Sequence, residues 1–304
     1  MSNATKHLSN FYNTITNTIY TGKDESTHTL IDNTQILRIG NTLSGLFSEA
    51  QSPIKPPRIV VVGTQSAGKS SVLNNILEME LMPTGKQMVT RTPINLQLIN
   101  SSESKTEFGN YQDGIWQSKV MIPLSQPDPT KEEICQIKEQ IEKQTIEKAG
   151  NNKNITSHEI VIKVYSPKVP DLNLIDLPGL TMVACTDKGQ PADIKDRIRR
   201  LVSSYIAQER TIILAVIAAR VDLEADMALE LIKHHDPEGE RTVGVLTKVD
   251  LMNTDSHIGS YITQNISKDL QLKYGYFAVR NKALPETSIS DGYLEEKNYY
   301  VLKY

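Results

Sequence analysis

A glycine-rich segment has the residue types and spacing that hold phosphate groups. Residues 63–71, GTQSAGKSS, follow the apolar run RIVVV and precede a pattern with helical spacing. Gly63 and Gly68 allow the backbone to curl, so that its N–H groups and the helix N-terminus face an anion. Lys69 brings a mobile positive charge to the terminal phosphates, and the Ser70 hydroxyl is an oxygen ligand suited to Mg²⁺. The segment therefore predicts a nucleotide phosphate site formed by Ser66, Ala67, Gly68, Lys69, Ser70 and Ser71.

A second motif, DLPGL at residues 176–180, ends another apolar run. Asp176 can join the Mg²⁺ shell through a water molecule, and the Gly179 amide can contact a γ-phosphate. In Ras-type switches, the residue after this glycine is the glutamine that orients the attacking water. Here that residue is Leu180, whose side chain can neither accept nor donate a hydrogen bond. If the chain hydrolyses a nucleotide, another group must hold the water.

A third motif, TKVD at residues 247–250, follows the apolar run TVGVL and can select the base. The Asp250 carboxylate can accept from the N1–H and the exocyclic amine of guanine, and adenine offers no such pair of donors. Lys248, which follows Thr247, can lie along the base with its alkyl stem. TKxD alone is a weak signal, but here it comes third in the order P-loop, DLPG, TKVD, each at a strand end. The set predicts GTP and GDP as ligands and disfavours a P-loop-like fold that binds nothing.

The elements that must position these motifs alternate along the chain. The runs RIVVVG, LNLID, TIILAVI and TVGVLT are almost continuously apolar, as buried parallel strands are. Stretches such as KSSVLNNIL and DIKDRIRRLVSSYIAQ have helical spacing and lie between them. We therefore expect an α/β fold of the P-loop NTPase type, with three layers, a mostly parallel sheet and helices on both faces.

Two further runs, INLQLI and EIVIKVYS, predict strands that flank an insertion at residues 100–156. Within the insertion, a helical pattern places Ile134, Ile137 and Ile141 on one face. The many Glu and Lys residues of this helix indicate a solvated face rather than a binding site.

The bulk composition is that of an ordinary globular protein, and it excludes several functions. The 304 residues carry a formal net charge of -3, so no overall basic excess indicates nucleic acid as a partner. Only Cys135 and Cys185 occur, too few for a disulfide framework, which favours a reducing, cytoplasmic compartment. The first residues, MSNATKHLSNFYN, lack the apolar core of a signal peptide, and the longest apolar run, IILAVIAA, is too short to span a bilayer.

Several further segments resemble the large GTPase domain of the dynamin superfamily. Residues 84–98, TGKQMVTRTPINLQL, are similar to that family's switch I region, in which a threonine precedes an arginine and a nearby proline. The segments VYSPKVPDLNLIDLPGLT, GQPADI and DPEGERTVGVLTKVDLM are also similar, and the likeness spans about residues 57–282. The resemblance implies an extended G domain that hydrolyses GTP to GDP and phosphate, and membrane remodelling by a full-length protein.

The resemblance also implies catalytic roles. In dynamins the glutamine that positions water lies in the P-loop, and the matching residue here is Gln65. Ser66 matches the residue that helps to hold a monovalent cation, K⁺ or Na⁺, and Thr90 matches a second side-chain ligand of Mg²⁺. The implied catalytic residues are Gln65, Ser66, Lys69, Thr90 and Gly179, and the implied metal ligands are Ser70, Thr90 and Asp176. The alternative is that Gln65 and Ser66 are variable P-loop positions without a catalytic role.

Further residues are assigned by the same resemblance. The segment YFAVRNKA is similar to the family's last base-contacting loop, which places Asn281 and Lys282 beside guanine. Family members carry Asp two residues after TKxDL as a ribose or base contact, and this chain has Asn253, which still accepts a hydrogen bond. Arg91 could serve as an arginine finger, but beside a metal-binding threonine we expect it to hold switch I through salt links.

The chain is expected to comprise three regions. Residues 1–29 are polar and predict a flexible N-terminal segment, and residues 30–56 predict an amphipathic helix followed by a linker. This helix could pack on its own domain or act as a lever or docking helix. Residues 57–304 form the predicted dynamin-type GTPase domain, whose C-terminal part is expected to be incomplete because dynamins continue with a further bundle helix and a stalk.

The expected protein partner is a second copy of the domain. Residues 219–228, ARVDLEADMA, match the loop through which dynamin GTPase domains contact each other, which implies a transient homodimer. From charge alone, Asp222 and Asp226 indicate a solvated loop that leads into a helix. A membrane is expected to be reached only peripherally, through segments outside this sequence. Two other functions stay open, a GTP-dependent signalling switch and a GTP-binding scaffold with little turnover.

Overall fold

The computed structural model describes residues 58–84, 90–126, 128–150, 154–252, 258–281 and 289–303. The predictions of a flexible segment at residues 1–29 and of a helix and linker at residues 30–56 lie outside these ranges. In the described part, the chain forms one nine-stranded sheet covered by helices.

The sheet is mixed, and most of its strand pairings are parallel. Its strands are Arg58–Val62 (β1), Ile94–Asn100 (β2), Lys105–Gln112 (β3), Ile115–Pro123 (β4), Ile160–Ser166 (β5), Leu172–Asp176 (β6), Thr211–Ala218 (β7), Thr242–Thr247 (β8) and Tyr276–Ala278 (β9). Their spatial order is β4-β3-β5-β2-β6-β1-β7-β8-β9. Only the β2–β6, β3–β4 and β3–β5 pairings among the described strands are antiparallel. The predicted mostly parallel sheet is confirmed.

The four strands predicted from apolar runs form the centre of this sheet. β6, β1, β7 and β8 are adjacent and run parallel. Every residue of β6, β7 and β8 is buried, because helices cover both faces of the sheet. The carboxyl ends of parallel strands lie at the same edge, so the segments that follow β1, β6 and β8 come together there.

The helices form the two outer layers. They are Lys69–Leu77 (α1), Lys131–Ala149 (α2), Ile194–Ile206 (α3), Met227–His235 (α4), Ile258–Ile262 (α5) and Ile289–Lys303 (α6). The stretches KSSVLNNIL and DIKDRIRRLVSSYIAQ, predicted as helices, contain α1 and α3. None of the helices in the described ranges is long and apolar enough to cross a membrane.

Alternate side chains of β1 divide the core into two halves. Ile59 and Val61 pack in a cluster that includes buried residues of α1 and α2. Val60 and Val62 pack in a second cluster with buried residues of α3 and α4. Because successive side chains of a strand point to opposite faces, this division places helices on both sides of the sheet. The predicted three-layer fold is confirmed.

The insertion between β2 and β5 extends the sheet. Its predicted helix is α2, which begins with a capping box between Thr130 and Glu133. Ile137 and Ile141 are buried and Ile134 packs against the same core, which confirms the predicted apolar face. The β3–β4 hairpin was not predicted, because many of its residues are exposed or half-buried and no continuous apolar run marks these strands.

Candidate nucleotide-binding site

The predicted phosphate-binding segment is a tight turn between β1 and α1. Ser66 at φ 62° and Gly68 at φ 102° both adopt the left-handed backbone conformation. A Cβ atom added at Gly63 would lie 2.3 Å from the carbonyl oxygen of Val216, so β7 leaves no room for a side chain there. A left-handed serine is uncommon and persists only where the surrounding structure fixes it. The turn exposes Gln65 and Ser66 and leads directly into α1.

Lys69 is the first residue of α1 and is 9% exposed. Its Nζ donates to the carbonyl oxygens of Gly63 and Thr64, each at 3.2 Å. Burial lowers the pKa of the Lys69 ammonium group, and the nearby Asp176 carboxylate opposes this shift. The lysine therefore lies across the turn on neutral carbonyl acceptors, which are weaker partners for an ammonium group than charged phosphate oxygens.

Leu180 joins the turn through its backbone rather than its side chain. Thr64 and Leu180 form an isolated parallel β-bridge. The Gln65 amide donates to the Leu180 carbonyl at 2.8 Å, and the Leu180 amide donates to the Gly63 carbonyl at 3.1 Å. The Leu180 side chain is 4% exposed and packs in the core cluster that contains α3 and α4 residues. Leu180 therefore contributes packing and leaves the exposed side of the turn to Gln65.

Gly179 lies close against the phosphate-binding turn. A Cβ atom added there would lie 2.8 Å from Lys69 Nζ and 3.0 Å from Gln65 Cα. A side chain at this position would therefore crowd the lysine ammonium group and the backbone of the turn. The structure thus brings Gln65, Lys69 and Gly179, three of the predicted catalytic residues, to one place.

Asp176 ends β6 and is fully buried. Its Oδ2 accepts a hydrogen bond from Thr90 Oγ1 at 3.0 Å, and its Oδ1 has no partner among the described residues. Burial raises the pKa of the carboxyl group to about 6, and Lys69 and the Thr90 hydrogen bond oppose this shift. A buried carboxylate oxygen without a partner is unfavourable, and a cation or a water ligand would satisfy it.

The residues around Asp176 fit a magnesium ion. Thr90 contributes a hydroxyl that already touches the carboxylate. Ser70, in the first turn of α1, carries a second hydroxyl at the same sheet edge. Hydroxyl, carboxylate and phosphate oxygens are the ligands that Mg²⁺ prefers, so Ser70, Thr90 and Asp176 are a chemically suitable set.

The TKVD motif contacts the phosphate-binding turn directly. Thr247, the last residue of β8, donates its hydroxyl to the Ala67 carbonyl. Lys248 adopts a left-handed backbone, φ 57°, and its Nζ donates to the Ser66 carbonyl at 2.6 Å. Asp250 lies exposed in the short helical turn that follows. The predicted base reader and the predicted phosphate site are therefore joined at one sheet edge.

The loop predicted to contact the base is held from two sides. Asn75 on α1 donates its Nδ2 to Asn281 Oδ1 at 2.7 Å. On the other side, the Arg280 amide donates to Glu296 Oε1 at 2.7 Å, and the Arg280 guanidinium pairs with Glu295 at 3.2 Å. Burial raises the pKa of the Glu296 carboxyl, against the Arg280 contacts.

Helix α6 also supports the TKVD turn. The Tyr299 hydroxyl donates to the carbonyl oxygen of Val249, next to Asp250, at 2.9 Å. No role was predicted for Asn75 or for α6. The apolar residues of α6 show no clear helical periodicity, so the sequence gives no signal for the surface that this helix covers.

The remaining predicted residues have mixed outcomes. Arg91, beside Thr90, donates its Nη1 to the carbonyl oxygen of Gly150 at 2.9 Å, which ties switch I to the end of α2. Asn253 and Lys282 lie outside the described residues. Their predicted nucleotide contacts therefore stay predictions.

The segment predicted to reach a partner contains one structural and one exposed carboxylate. Asp226 is 3% exposed and caps α4, because its Oδ1 accepts from the amides of Ala228 and Leu229 at 2.9 and 3.0 Å. Asp222 is exposed and precedes a short helical turn. Of these two carboxylates, Asp222 is exposed and Asp226 is buried.

The parallel core, the phosphate-binding turn and the motifs at the strand ends are those of a P-loop GTPase domain. Residues 59–249, which are more than half of the chain, match the sequence model of the Dynamin family. The chain belongs to this family. The predictions of dynamin-superfamily membership and of a dynamin-type GTP hydrolase are confirmed at the level of the family.

Individual relatives cover most of the chain. Dynamin-A of Dictyostelium discoideum is 39% identical over 250 residues, which are 82% of this chain and 28% of that protein. Vacuolar protein sorting-associated protein 1 of Schizosaccharomyces pombe is 40% identical over 255 residues, 81% of this chain and 37% of that protein. Dynamin-1-like protein of Mus musculus is 34% identical over 275 residues, 88% and 37% of the two chains. The chain thus spans about a third of the length of these relatives.

Proposed function

We propose that this chain binds Mg·GTP and hydrolyses it to GDP and phosphate by in-line attack of water on the γ-phosphate. The observation that carries the proposal is the meeting of three motifs at one sheet edge. Gly179 approaches Lys69 and Gln65, and Lys248 donates to the Ser66 carbonyl. GTP hydrolysis requires a turn that holds phosphates, a carboxylate near the metal and a motif that reads guanine, and this edge of the sheet combines all three.

Ground-state phosphates are held by Lys69 and by the backbone amides of the turn, from Ser66 to Ser71. Ser70, Thr90 and Asp176 would hold Mg²⁺, which would neutralise charge on the phosphate oxygens. Because Lys69 Nζ rests on two neutral carbonyl oxygens, it can exchange them for phosphate oxygens at little cost. These contacts are made before the reaction and therefore set affinity.

Gln65 positions the attacking water in this proposal. Its side chain is exposed on the turn, its backbone lies against Gly179, and Leu180 is buried in the core. An amide can accept from a water and donate to it, whereas the leucine side chain can do neither. The Gly179 amide and the Thr90 carbonyl complete the water's surroundings. The alternative, that Gln65 has no catalytic role, predicts normal turnover when Gln65 is replaced by alanine.

The site would also hold a monovalent cation, K⁺ or Na⁺, which would supply positive charge where negative charge develops at the β–γ bridge. We assign Ser66 to this cation, because Ser66 is exposed on the turn and its backbone carbonyl accepts from Lys248 Nζ. In the described part of the chain, Arg91 donates to Gly150 at the end of α2 and thereby holds switch I rather than acting as an arginine finger.

Turnover rises through a transient homodimer of the GTPase domain. Exposed apolar side chains flank the site, with Met182 65% and Val183 71% exposed in the segment after Leu180. Exposed apolar residues beside a polar site favour a protein contact. Asp222 on the neighbouring loop is available for polar contact across such an interface.

The biological process is proposed from the family. A protein that contains this domain would remodel a membrane from the cytoplasm, which it would reach peripherally. One relative is named as a vacuolar protein sorting-associated protein. The net charge of -3 gives no support to nucleic acid as a partner.

Phosphate release from GTP by the purified chain tests the proposal, measured over a wide range of protein concentration. We expect Mg²⁺-dependent turnover per molecule that increases with concentration. Turnover that is slow and independent of concentration would favour the signalling-switch alternative. GTP binding without phosphate release would favour the scaffold and would overturn the proposed hydrolysis.

A further inference from the structure

One hydrogen bond joins the helix that follows the phosphate turn to the last base-contacting loop. Asn75 Nδ2 donates to Asn281 Oδ1 at 2.7 Å across 206 positions of sequence. Both side chains are partly buried. Asn75 lies on α1, the helix that follows the phosphate turn, and Asn281 follows β9. The bond therefore holds the side chain of Asn281, the residue that we expect beside the base, against α1.

The direction of this bond fixes which end of the Asn281 amide faces away from α1. A carboxamide carries an acceptor oxygen on one side and an NH₂ group with two donors on the other. The two groups are similar in size, so rotation of the amide exchanges a donor for an acceptor. Since Asn75 donates, the Asn281 oxygen is turned toward α1 and its NH₂ group away from it. The Asn281 nitrogen makes no hydrogen bond to another residue in the described ranges.

We propose that Asn75 is a positioning residue that sets base selectivity by holding the Asn281 NH₂ group toward the O6 acceptor of guanine. Adenine carries an amine at this position, so the same NH₂ group would meet a donor. Asp250 reads the N1–H and 2-amino edge of guanine, and Asn281 adds a reading of O6. This inference rests on the proposed function, because it requires guanine nucleotides at this site.

The surroundings of Asn281 resist a compensating movement. The preceding residue, Arg280, is bonded through its backbone amide to Glu296 and through its guanidinium to Glu295, both on α6. The loop backbone is thus anchored on one side while Asn75 holds the side chain on the other. The amide can change its presentation to the base mainly by rotating about its terminal torsion, which reverses donor and acceptor.

The substitution Asn75→Asp tests this inference, because a carboxylate can only accept. Asn281 must then turn its NH₂ group toward α1 and its oxygen toward O6, where two acceptors face each other. The affinities of GDP and 6-thio-GDP are measured by calorimetry on the full chain. 6-Thio-GDP keeps the N1–H and 2-amino donors but carries a weak sulfur acceptor at position 6.

In the unaltered chain we expect GDP to bind more tightly than 6-thio-GDP. Asn75→Asp should weaken GDP on the order of tenfold and 6-thio-GDP less, so that the preference for GDP narrows. The preference is the ratio of the dissociation constants of 6-thio-GDP and GDP. The added negative charge acts on both nucleotides equally and cancels in this ratio. An unchanged ratio in Asn75→Asp, with GDP still bound by the unaltered chain, would overturn the inference alone. Absence of GDP binding by the unaltered chain would overturn the proposed function and this inference together.

Two further variants separate orientation from charge and folding. Asn75→Leu is close in size and removes the donor without adding an acceptor, so the preference for GDP should narrow part of the way. It also serves as the test if Asn75→Asp does not fold. Asn110→Asp adds the same charge at an exposed position of β3, in the inserted hairpin, and should leave the ratio unchanged. A ratio that narrows equally in Asn110→Asp would contradict the role of Asn75.

Discussion

The backbone amide of Gln65 donates to the backbone carbonyl of Leu180 at 2.8 Å. The candidate water-positioning residue is thus bonded to Leu180, which occupies the position of the water-positioning glutamine in Ras-type switches. The bond lets the Leu180 backbone support the turn that carries Gln65, while the two side chains point to different surroundings. The Leu180 backbone supports the phosphate turn, while its side chain packs in the core. The side chain of Gln65 remains on the exposed face.

This arrangement predicts that glutamine at position 180 harms the fold without helping catalysis. Leu180→Gln places an amide in the core, which should lower the free energy of unfolding by about 2–4 kcal/mol. Phosphate release should not increase. Urea denaturation and a turnover assay measure the two effects. Met182→Gln is the control, because it adds the same side chain at an exposed position and should change stability by less than about 0.5 kcal/mol. Faster turnover in Leu180→Gln would contradict the assignment of water positioning to Gln65.

Lys69 and Gln65 should separate binding from turnover. Lys69→Ala removes a charge from ground-state phosphates and should weaken nucleotide affinity on the order of a hundredfold. Gln65→Ala should keep affinity and lose turnover on the order of a hundredfold, because it acts on the attacking water. Calorimetry with GDP and single-turnover phosphate release give the two quantities. Lys143→Ala, on the exposed face of α2, should change neither. Equal loss of affinity in both variants would remove the catalytic role of Gln65.

Asp250 should determine the base. Asp250→Asn should relax the preference for GTP over xanthosine triphosphate, because an amide can donate to the additional carbonyl of xanthine. Because Asp250 is exposed in a short turn, we expect the variant to fold normally. Competition between the two nucleotides at equilibrium measures the preference. If the preference is unchanged, TKVD does not read the base.

The two carboxylates of residues 219–228 should respond differently to substitution. Asp226→Ala removes the cap of α4 and should lower the free energy of unfolding by about 1–2 kcal/mol. Asp222→Ala should leave stability within about 0.5 kcal/mol, because the side chain is exposed. If Asp222 meets a partner domain, its replacement should flatten the dependence of turnover on protein concentration. An unaltered dependence would place the dimer contact elsewhere.

The central fold was predictable because its physical signals are local and strong. β1, β6, β7 and β8 are buried on both faces, so their sequences are continuously apolar, and α1 follows the phosphate turn at once. The β3–β4 hairpin lies at the sheet's edge with mixed exposure, and its sequence carries no strong pattern. Local periodicity therefore predicts the buried centre better than the edge.

The site was predictable where a motif has a fixed local geometry, and less so where the contact is distant. The P-loop, DLPG and TKVD lie at strand ends, as their order implies. The contacts of Asn75 with Asn281 and of Tyr299 with Val249 join residues far apart in sequence, which no local pattern encodes. Asp226, in the segment predicted to contact a partner, is buried and caps its own helix, which the charge pattern alone does not reveal.

The last prediction concerns how charge at the β–γ bridge is met during hydrolysis. In the described structure Arg91 is held by Gly150, and Lys69 already serves the ground-state phosphates in our proposal. A cation beside Ser66 would supply the missing charge, and the partner domain would stabilise the loops that enclose it.

We therefore expect that replacing K⁺ and Na⁺ with a bulky organic cation suppresses turnover on the order of tenfold or more while GDP affinity stays the same. Ser66→Ala should lower turnover and reduce the response to K⁺. Ser204→Ala, on the exposed surface of α3, is the matched control and should keep both. Phosphate release is measured against cation type at several protein concentrations. Full activity in the organic cation, with turnover per molecule independent of concentration, would remove both the cation and the dimer from this mechanism.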